Sequence, residues 1–273
     1  MTASQPSQTA KPATAARMYD FFLGGTHNFP ADREAAKAII GMFPHTPVAA
    51  QVNRAFLRRA VRYLCEQGVR QFLDIGSGIP TEGNVHEIVQ EASPGARVVY
   101  VDIDPVAVAE SQELLQGNAH ATAIQGDLRN PGAILSHPQV RKVLDFDQPI
   151  AVLLVAVLHF IDDDAAHGAV RQLLGAVCPG SYLVVSHLLD DDPDEPAATP
   201  EELDRVHDIY KRQTAAMLRL RTLPEIKRFF DGLEPVDPGI GFVFDWRPAP
   251  DDPGVGNAVA RQAAAGGIGR MPA

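Results

Sequence analysis

Cysteine is nearly absent from this 273-residue chain, which has only Cys65 and Cys178, each inside an apolar pattern. Two cysteines make no disulfide framework, and with no C-x-x-C the common thiolate metal and redox motifs are missing too. Both are expected to be small core residues, and their scarcity fits a reducing cytoplasm. The nine histidines include no pair three or four residues apart, so no metal site is expected. Positive charge is also short: 24 Lys and Arg stand against 34 Asp and Glu, a net charge of -10. That balance argues against nucleic acid or an anionic membrane as the main partner, because both need a basic surface. Arg54, Arg58, Arg59 and Arg62 cluster, but their helical spacing reads as the solvated face of a helix. The longest hydrophobic run, Ile150 to Leu158, is too short to cross a bilayer and reads as a buried strand. The first residues carry no apolar stretch of the signal-peptide kind, so a cytoplasmic location is expected.

What the chain does have is a full apolar complement, 45% of its residues, enough for one large α/β domain with additions. Residues 1–16 are rich in Thr, Ala, Ser, Gln and Pro and are expected to form a disordered tail. Residues 17–68 read as a helical segment preceding and covering the sheet, and residues 69–273 as a Rossmann-like core. A helix is expected from about Asp32 to Met42. A second starts at Thr46-Pro47 as N-cap and first residue, buries Phe56, Leu57, Ala60, Val61 and Leu64, and stops at Gly68. Near-continuous apolar strands then alternate with helices, the pattern of a mostly parallel sheet covered on both faces. Leu233–Val236 and Phe242–Trp246 suit a closing hairpin at one sheet edge. The final segment, Gly266-Gly267-Ile268-Gly269-Arg270, has no obvious place.

Residues 72 to 78, Phe-Leu-Asp-Ile-Gly-Ser-Gly, form the most informative stretch. A strand that breaks into a G-x-G turn and then a helix is the nucleotide-binding device of α/β folds. Asp74 sets the choice of nucleotide. A carboxylate just before the glycines would repel a pyrophosphate, and Thr81 holds the place of the third glycine of the dinucleotide fingerprint. A nucleotide with a cationic end fits better, and S-adenosylmethionine has an ammonium, a sulfonium and no phosphate. A little over 20 residues on, the strand Arg97–Asp102 ends in an acid placed to meet ribose hydroxyls. Ile103 would lie against the adenine, and Asp104-Pro105 would open the next helix as its cap. Asp127 and Leu128, after the third strand, would meet the adenine amino group and ring, although a turn Asp reads nearly as well there. The fourth strand end spans Ala156 to His159.

Several segments carry a family likeness: R-M-Y-D-F-F-L-G-G-T-H-N-F-P-A-D-R-E, N-R-A-F-L-R-R-A-V-R-Y-L, Q-F-L-D-I-G-S-G-I-P-T, V-L-L-V-A-V-L-H-F and R-F-F-D-G-L-E. From Arg17 to about Trp246 the chain resembles a class I S-adenosylmethionine-dependent methyltransferase. Within that class it resembles the actinobacterial "S-adenosyl methyltransferase" family once described as a domain of unknown function. The resemblance implies a seven-stranded Rossmann-like fold and cofactor contacts at Asp74, Gly76, Ser77, Gly78, Asp102, Ile103, Asp127, Leu128 and Ala156. Tyr19, Gly24, Gly25, His27 and Asn28 would belong to an N-terminal segment folded over the cofactor; a glycine turn and a helix-packing anchor account for them equally well.

A small-molecule methyl acceptor is the expected partner. His159, with a near-neutral reference pKa just past the fourth strand, is the candidate general base if the acceptor is a hydroxyl, against a packed strand-end histidine. Two other readings stay open: a non-catalytic binder of the same cofactor, and a nicotinamide-dependent oxidoreductase. The acidic residue before the loop and the missing third glycine disfavour the oxidoreductase.

Overall fold

The computed structural model describes residues 12–80, 83–190, 199–214, 218–250, 252–254 and 256–272. Three helices lead into the sheet: α1 (Ala15–Phe22), α2 (Pro30–Met42) and α3 (Thr46–Glu66). Five parallel strands follow, β1 (Gln71–Ile75), β2 (Arg97–Asp102), β3 (Ala121–Gln125), β4 (Ala151–Val155) and β5 (Tyr182–Leu188), joined through α4 (Val85–Ala92), α5 (Pro105–Leu114), α6 (Pro131–Ser136), α7 (Pro138–Val143) and α8 (Asp163–Leu174). After α9 (Pro200–Thr214) and α10 (Leu223–Lys227) come β6 (Glu234–Pro235), β7 (Gly241–Phe242), α11 (Ala258–Gln262) and β8 (Ala264–Arg270). The spatial order is β3-β2-β1-β4-β5-β8-β6, with the two-residue β7 also on β8, which runs antiparallel to β5. This is a Rossmann-like α/β sheet with the expected seven-strand path.

Alternation within each strand splits the core in two. Phe72, Val98, Tyr100, Leu153 and Val184 face Phe56, Val61 and Leu64 of α3, Val85 and Val89 of α4, and Leu115. Leu73, Val99, Val152 and Leu183 face Ile134 of α6, Val140 of α7, and Ala166, Val170 and Leu173 of α8. Strands buried on both faces must be apolar throughout, which is why they were visible as runs. A third cluster joins Met18 and Phe22 of α1 and Ala36 and Ile39 of α2 to Ala50, Val206 and Tyr210. It seats the first helices on the rest of the chain. Strand order reverses between β1 and β4, and open α/β sheets bind ligands outside the carboxyl ends at such a reversal.

Several expectations change. The expected closing hairpin does not form: β6 and β7 each pair with β8 and not with one another. The glycine-rich segment without a place is β8 itself, between β5 and β6. A Cβ on Gly266 would land on the Val185 carbonyl oxygen, and one on Gly269 would come 2.9 Å from the side chains of Leu233 and Phe230. α6 and α7 are separated at His137-Pro138, because proline disfavours a helical residue before it. Thr46 does not cap α3 with its side chain; its hydroxyl donates back to the Phe43 carbonyl at 2.7 Å.

The arginine cluster is not a solvated face. Arg59 donates to the Trp246 and Val243 carbonyls and pairs with Asp252, and Arg58 packs against Gly83. Only Arg62 of the four is exposed. Cys65 is buried as expected, whereas Cys178 is partly exposed. Of the expected N-terminal tail, residues 1–11 lie outside the described residues, Ala13 is buried, and Thr14 caps α1 by accepting from the Arg17 amide. No helix among the described residues is long and apolar enough to cross a membrane.

Candidate functional site

Gly76 ends β1 in the left-handed region, at φ +75, and Gly78 follows at φ +68. An L side chain is disfavoured at both. At Gly76 a Cβ would also collide with Val157, the second residue after β4. The loops following the two strands at the reversal therefore touch, which only glycine at position 76 permits. Ala156 itself has φ +55, a conformation that non-glycine residues adopt at a cost and that concentrates at functional sites. Its amide is held in place, donating to the Ser186 carbonyl (3.1 Å) and the Ser186 hydroxyl (3.0 Å). β4 thus stops at Val155, and Leu158–Phe160 forms a 3-10 turn instead of the expected continuation of the strand to His159.

The glycine loop wraps the tip of β2. The Gly76 and Ser77 amides donate to the Val101 carbonyl at 2.7 and 3.2 Å, and the Gly78 amide donates to Asp102 Oδ2 at 2.7 Å. Asp102 Oδ1 accepts from the Asp104 amide at 2.8 Å. Each oxygen keeps a lone pair for a further donor. Burial raises Asp102 to about 6, against the backbone amides of Asp104 and Gly78, which pull it down. Asp74 lies at the neighbouring strand end, raised to about 7 by burial, with Arg54 opposing and Asp102 adding to the rise. Two buried carboxylates side by side create a demand for a cation and for hydroxyl donors, and would repel a pyrophosphate. Ile103, at the tip of β2, is 55% exposed and free to be covered by a planar base.

α1 lies across this edge, tied at both ends. Arg17, buried, donates to Asp32 (2.8 Å) and Asp104 (2.9 Å), and the Thr14 hydroxyl donates to Asp104 at 2.5 Å. Asp104 also caps α5, accepting from the Val106 amide at 2.9 Å. Toward β4 and β5, the Ser186 hydroxyl donates to Asn53 Oδ1 (2.5 Å), Asn53 donates to the Tyr19 hydroxyl (2.9 Å), and Tyr19 donates to the Ala50 carbonyl (3.0 Å). The Tyr19 hydroxyl is therefore an anchor of the cover. Asn28 is buried in the loop after α1, donating to Asp20 and to the Gly25 carbonyl. Gly25 leaves room for the Asp20 carboxylate, whose Oδ1 is buried without a partner. His27 is half exposed, with Nε2 3.5 Å from Glu110 of α5.

Leu128, Asp127 and His159, also expected at the site, are packed or engaged within the fold. Leu128 is buried in the second-face core with Ile134. The Asp127 carboxylate is engaged by its neighbour Arg129 at 2.6–3.0 Å, which holds its pKa below the usual carboxylate range. His159 is buried against Phe160 and His187, with Nδ1 unpartnered. Burial, with His187 and Arg221 nearby, holds it well below the usual histidine range.

Arg221, missed in the sequence, organises this corner. It donates to the Leu158 and Ile161 carbonyls (2.9 Å each), to His187 Nε2 (2.5 Å) and to Asp163 (2.9 Å). His187 Nδ1 lies 2.6 Å from the Leu188 carbonyl, and burial, aided by Arg221, pushes its pKa down to about 4. Asn53, Ser186 and Arg17 were missed as well. Each is a single polar residue in an apolar or charged helix or strand pattern, and only the partner brought up by the fold gives it meaning.

The chain matches the model of a family described as S-adenosyl methyltransferase over residues 1–272. It is 38% identical to a candidate methyltransferase from Thermobifida fusca YX, with all of both chains covered and a TM-score of 0.87. It is 40% identical to a DUF574 family protein from Streptomyces avermitilis MA-4680, covering 96% of this chain and 98% of that one, again with a TM-score of 0.87. No curated protein matches. At 16% identity and a TM-score of 0.52, the fold extends to the S-adenosylmethionine-dependent methyltransferase SibL in its apo form. The chain belongs to the S-adenosyl methyltransferase family, whose cofactor is S-adenosylmethionine.

Proposed function

We propose that the chain transfers a methyl group from S-adenosylmethionine to a small-molecule acceptor, at the carboxyl edge between β1 and β4. The observation that carries the reading is the pair of buried carboxylates, Asp74 and Asp102, beside a left-handed glycine turn. Asp102 would accept from the ribose hydroxyls with its remaining lone pairs, and Ile103 would cover one face of the adenine. Asp74 would hold the ammonium, and an ionised carboxylate there becomes favourable once a cation faces it. The cover of α1 and its following loop, with Gly25, His27 and Asn28, would exclude water from the reacting atoms.

Bound S-adenosylmethionine supplies an electrophilic methyl carbon, and its in-line displacement depends chiefly on alignment. Ala156 and Val157, fixed by Ser186 and by contact with Gly76, are placed to set that alignment from the β4 side. His159 and His187 are assigned to packing rather than to proton transfer. A buried histidine with a strongly lowered pKa is a poor proton acceptor. The acceptor is therefore one that needs no histidine base at this corner. The net charge of -10 favours a small molecule over nucleic acid.

Calorimetry with S-adenosylmethionine and with S-adenosylhomocysteine tests the reading. Binding in the micromolar range or tighter is expected, and absence of binding by both defeats it. Saturable tight binding of NADH would favour an oxidoreductase instead. Tight cofactor binding with no methyl transfer to metabolite extracts would favour a non-catalytic binder.

A further inference from the structure

We propose that Arg54 anchors the carboxylate at the amino-acid end of the cofactor, so that Arg54 and Asp74 together receive a zwitterion. The inference rests on reading this crevice as the S-adenosylmethionine site and adds the partner of its negative group. A narrow crevice descends from the glycine loop, and Arg54, Asp74, Ser77, Gly78 and Asn84 line it.

Arg54 stands apart from its helical neighbour Arg59, whose guanidinium is occupied by two backbone carbonyls and Asp252. The Arg54 Nε is buried and donates to nothing, and its terminal nitrogen reaches Asn84 Oδ1 only at a long 3.4 Å. Buried donors are rarely left unsatisfied in a finished structure, and one that is calls for an explanation. Asp74 lies close enough for Arg54 to lower its pKa, yet the two form no ion pair. Opposite charges thus line one crevice without neutralising each other.

Three of the loop amides are already taken. The Gly76 and Ser77 amides are spent on the Val101 carbonyl, and the Gly78 amide on Asp102. Just before α4, Glu87 already accepts from the Gly83 and Asn84 amides. A carboxylate entering between the loop and α3 meets Arg54, and a guanidinium fork matches a carboxylate in two parallel bonds.

Calorimetry of the full chain with two adenosyl thioethers tests this. S-adenosylhomocysteine carries the amino-acid end, and 5′-methylthioadenosine lacks it. Arg54→Gln should weaken the first on the order of 10- to 100-fold, as loss of a charge-assisted pair does, and change the second by less than about twofold. Equal weakening of both ligands, or of neither, overturns the proposal. Should Arg54→Gln fail to fold, the unaltered chain decides. The carboxyl methyl ester of S-adenosylhomocysteine is expected to bind at least about 10-fold more weakly than the free acid, and equal affinity refutes the anchor. If the unaltered chain binds none of these ligands, the reading of the site as a whole fails and this inference goes with it.

Discussion

Replacing Asp74 by Asn should stabilise the unliganded protein, and by an amount that depends on pH. Burial holds the Asp74 carboxyl at about 7 in the folded chain against an ordinary 3.8. Arg54, Asp102, Tyr100 and His86 are the titratable groups around it in the crevice. Below the ordinary value the carboxyl is protonated in both states and the isosteric amide gains nothing. As pH rises from about 4 to 7, the unfolded chain ionises while the folded one resists, so the native protein loses stability through this window. Above 7 the loss is complete, at about 4 kcal/mol. Asp74→Asn removes it. The variant should exceed the unaltered chain by about 1–2 kcal/mol at pH 5 and about 4 kcal/mol at pH 8, the latter equivalent to a rise in Tm on the order of 10 °C. Urea denaturation of both proteins at the two pH values measures the gap. A gap that is absent, reversed or equal at both pH values refutes the account of Asp74 as an unpaired buried carboxylate. The same substitution should weaken S-adenosylmethionine binding, since stability set aside at a binding site is recovered only with the ligand.

Asp102→Ala should weaken S-adenosylmethionine on the order of 10- to 100-fold by calorimetry, because it removes a charged acceptor and frees the Gly78 amide; unchanged affinity would exclude Asp102 from the ribose contact. With Asp74 raised to about 7 and Asp102 to about 6, cofactor affinity should climb between pH 5 and 7 and level off above, with protons released on binding at pH 6. Calorimetry in buffers of different ionisation heat reads that release, and a flat profile would show that ionised carboxylates are not required. Arg221→Met should cost about 2–5 kcal/mol in urea unfolding, since it strands the buried Leu158 and Ile161 carbonyls and His187 Nε2, at roughly 1–3 kcal/mol per unsatisfied group. A loss below about 1 kcal/mol would show that the corner is held by other contacts.

The strand tips were legible because an apolar run that stops near an acid or a glycine is a local pattern: Asp74 and Gly76 mark the tip of β1, and Asp102 that of β2. The alternation of strands and helices along the chain was legible in the same way. β8 was not legible, because glycine has little strand propensity and its glycines answer to Val185, Leu233 and Phe230, remote in the chain. Arg54, Arg58 and Arg59 were misread because helical spacing tells which charges share a face and not what that face meets. His159 was found at the right strand end, but its surroundings come from β5 and from Arg221 before α10, so its burial could not be seen locally. Nothing in an alanine announces a left-handed backbone; at position 156 the conformation is imposed by Ser186 and by the neighbouring glycine loop.

The position of β8 bears on how the chain is made. Until Ala264–Arg270 has emerged from the ribosome, β5 presents a bare row of amides and carbonyls, and roughly 75 residues, on the order of 4–15 s of synthesis, separate the two strands. During that interval the apolar β5 is a template for pairing with another nascent chain. Conditions that slow translation between the two strands should therefore favour aggregates seeded at β5, and deleting Ala264–Arg270 should leave the same flank permanently uncovered.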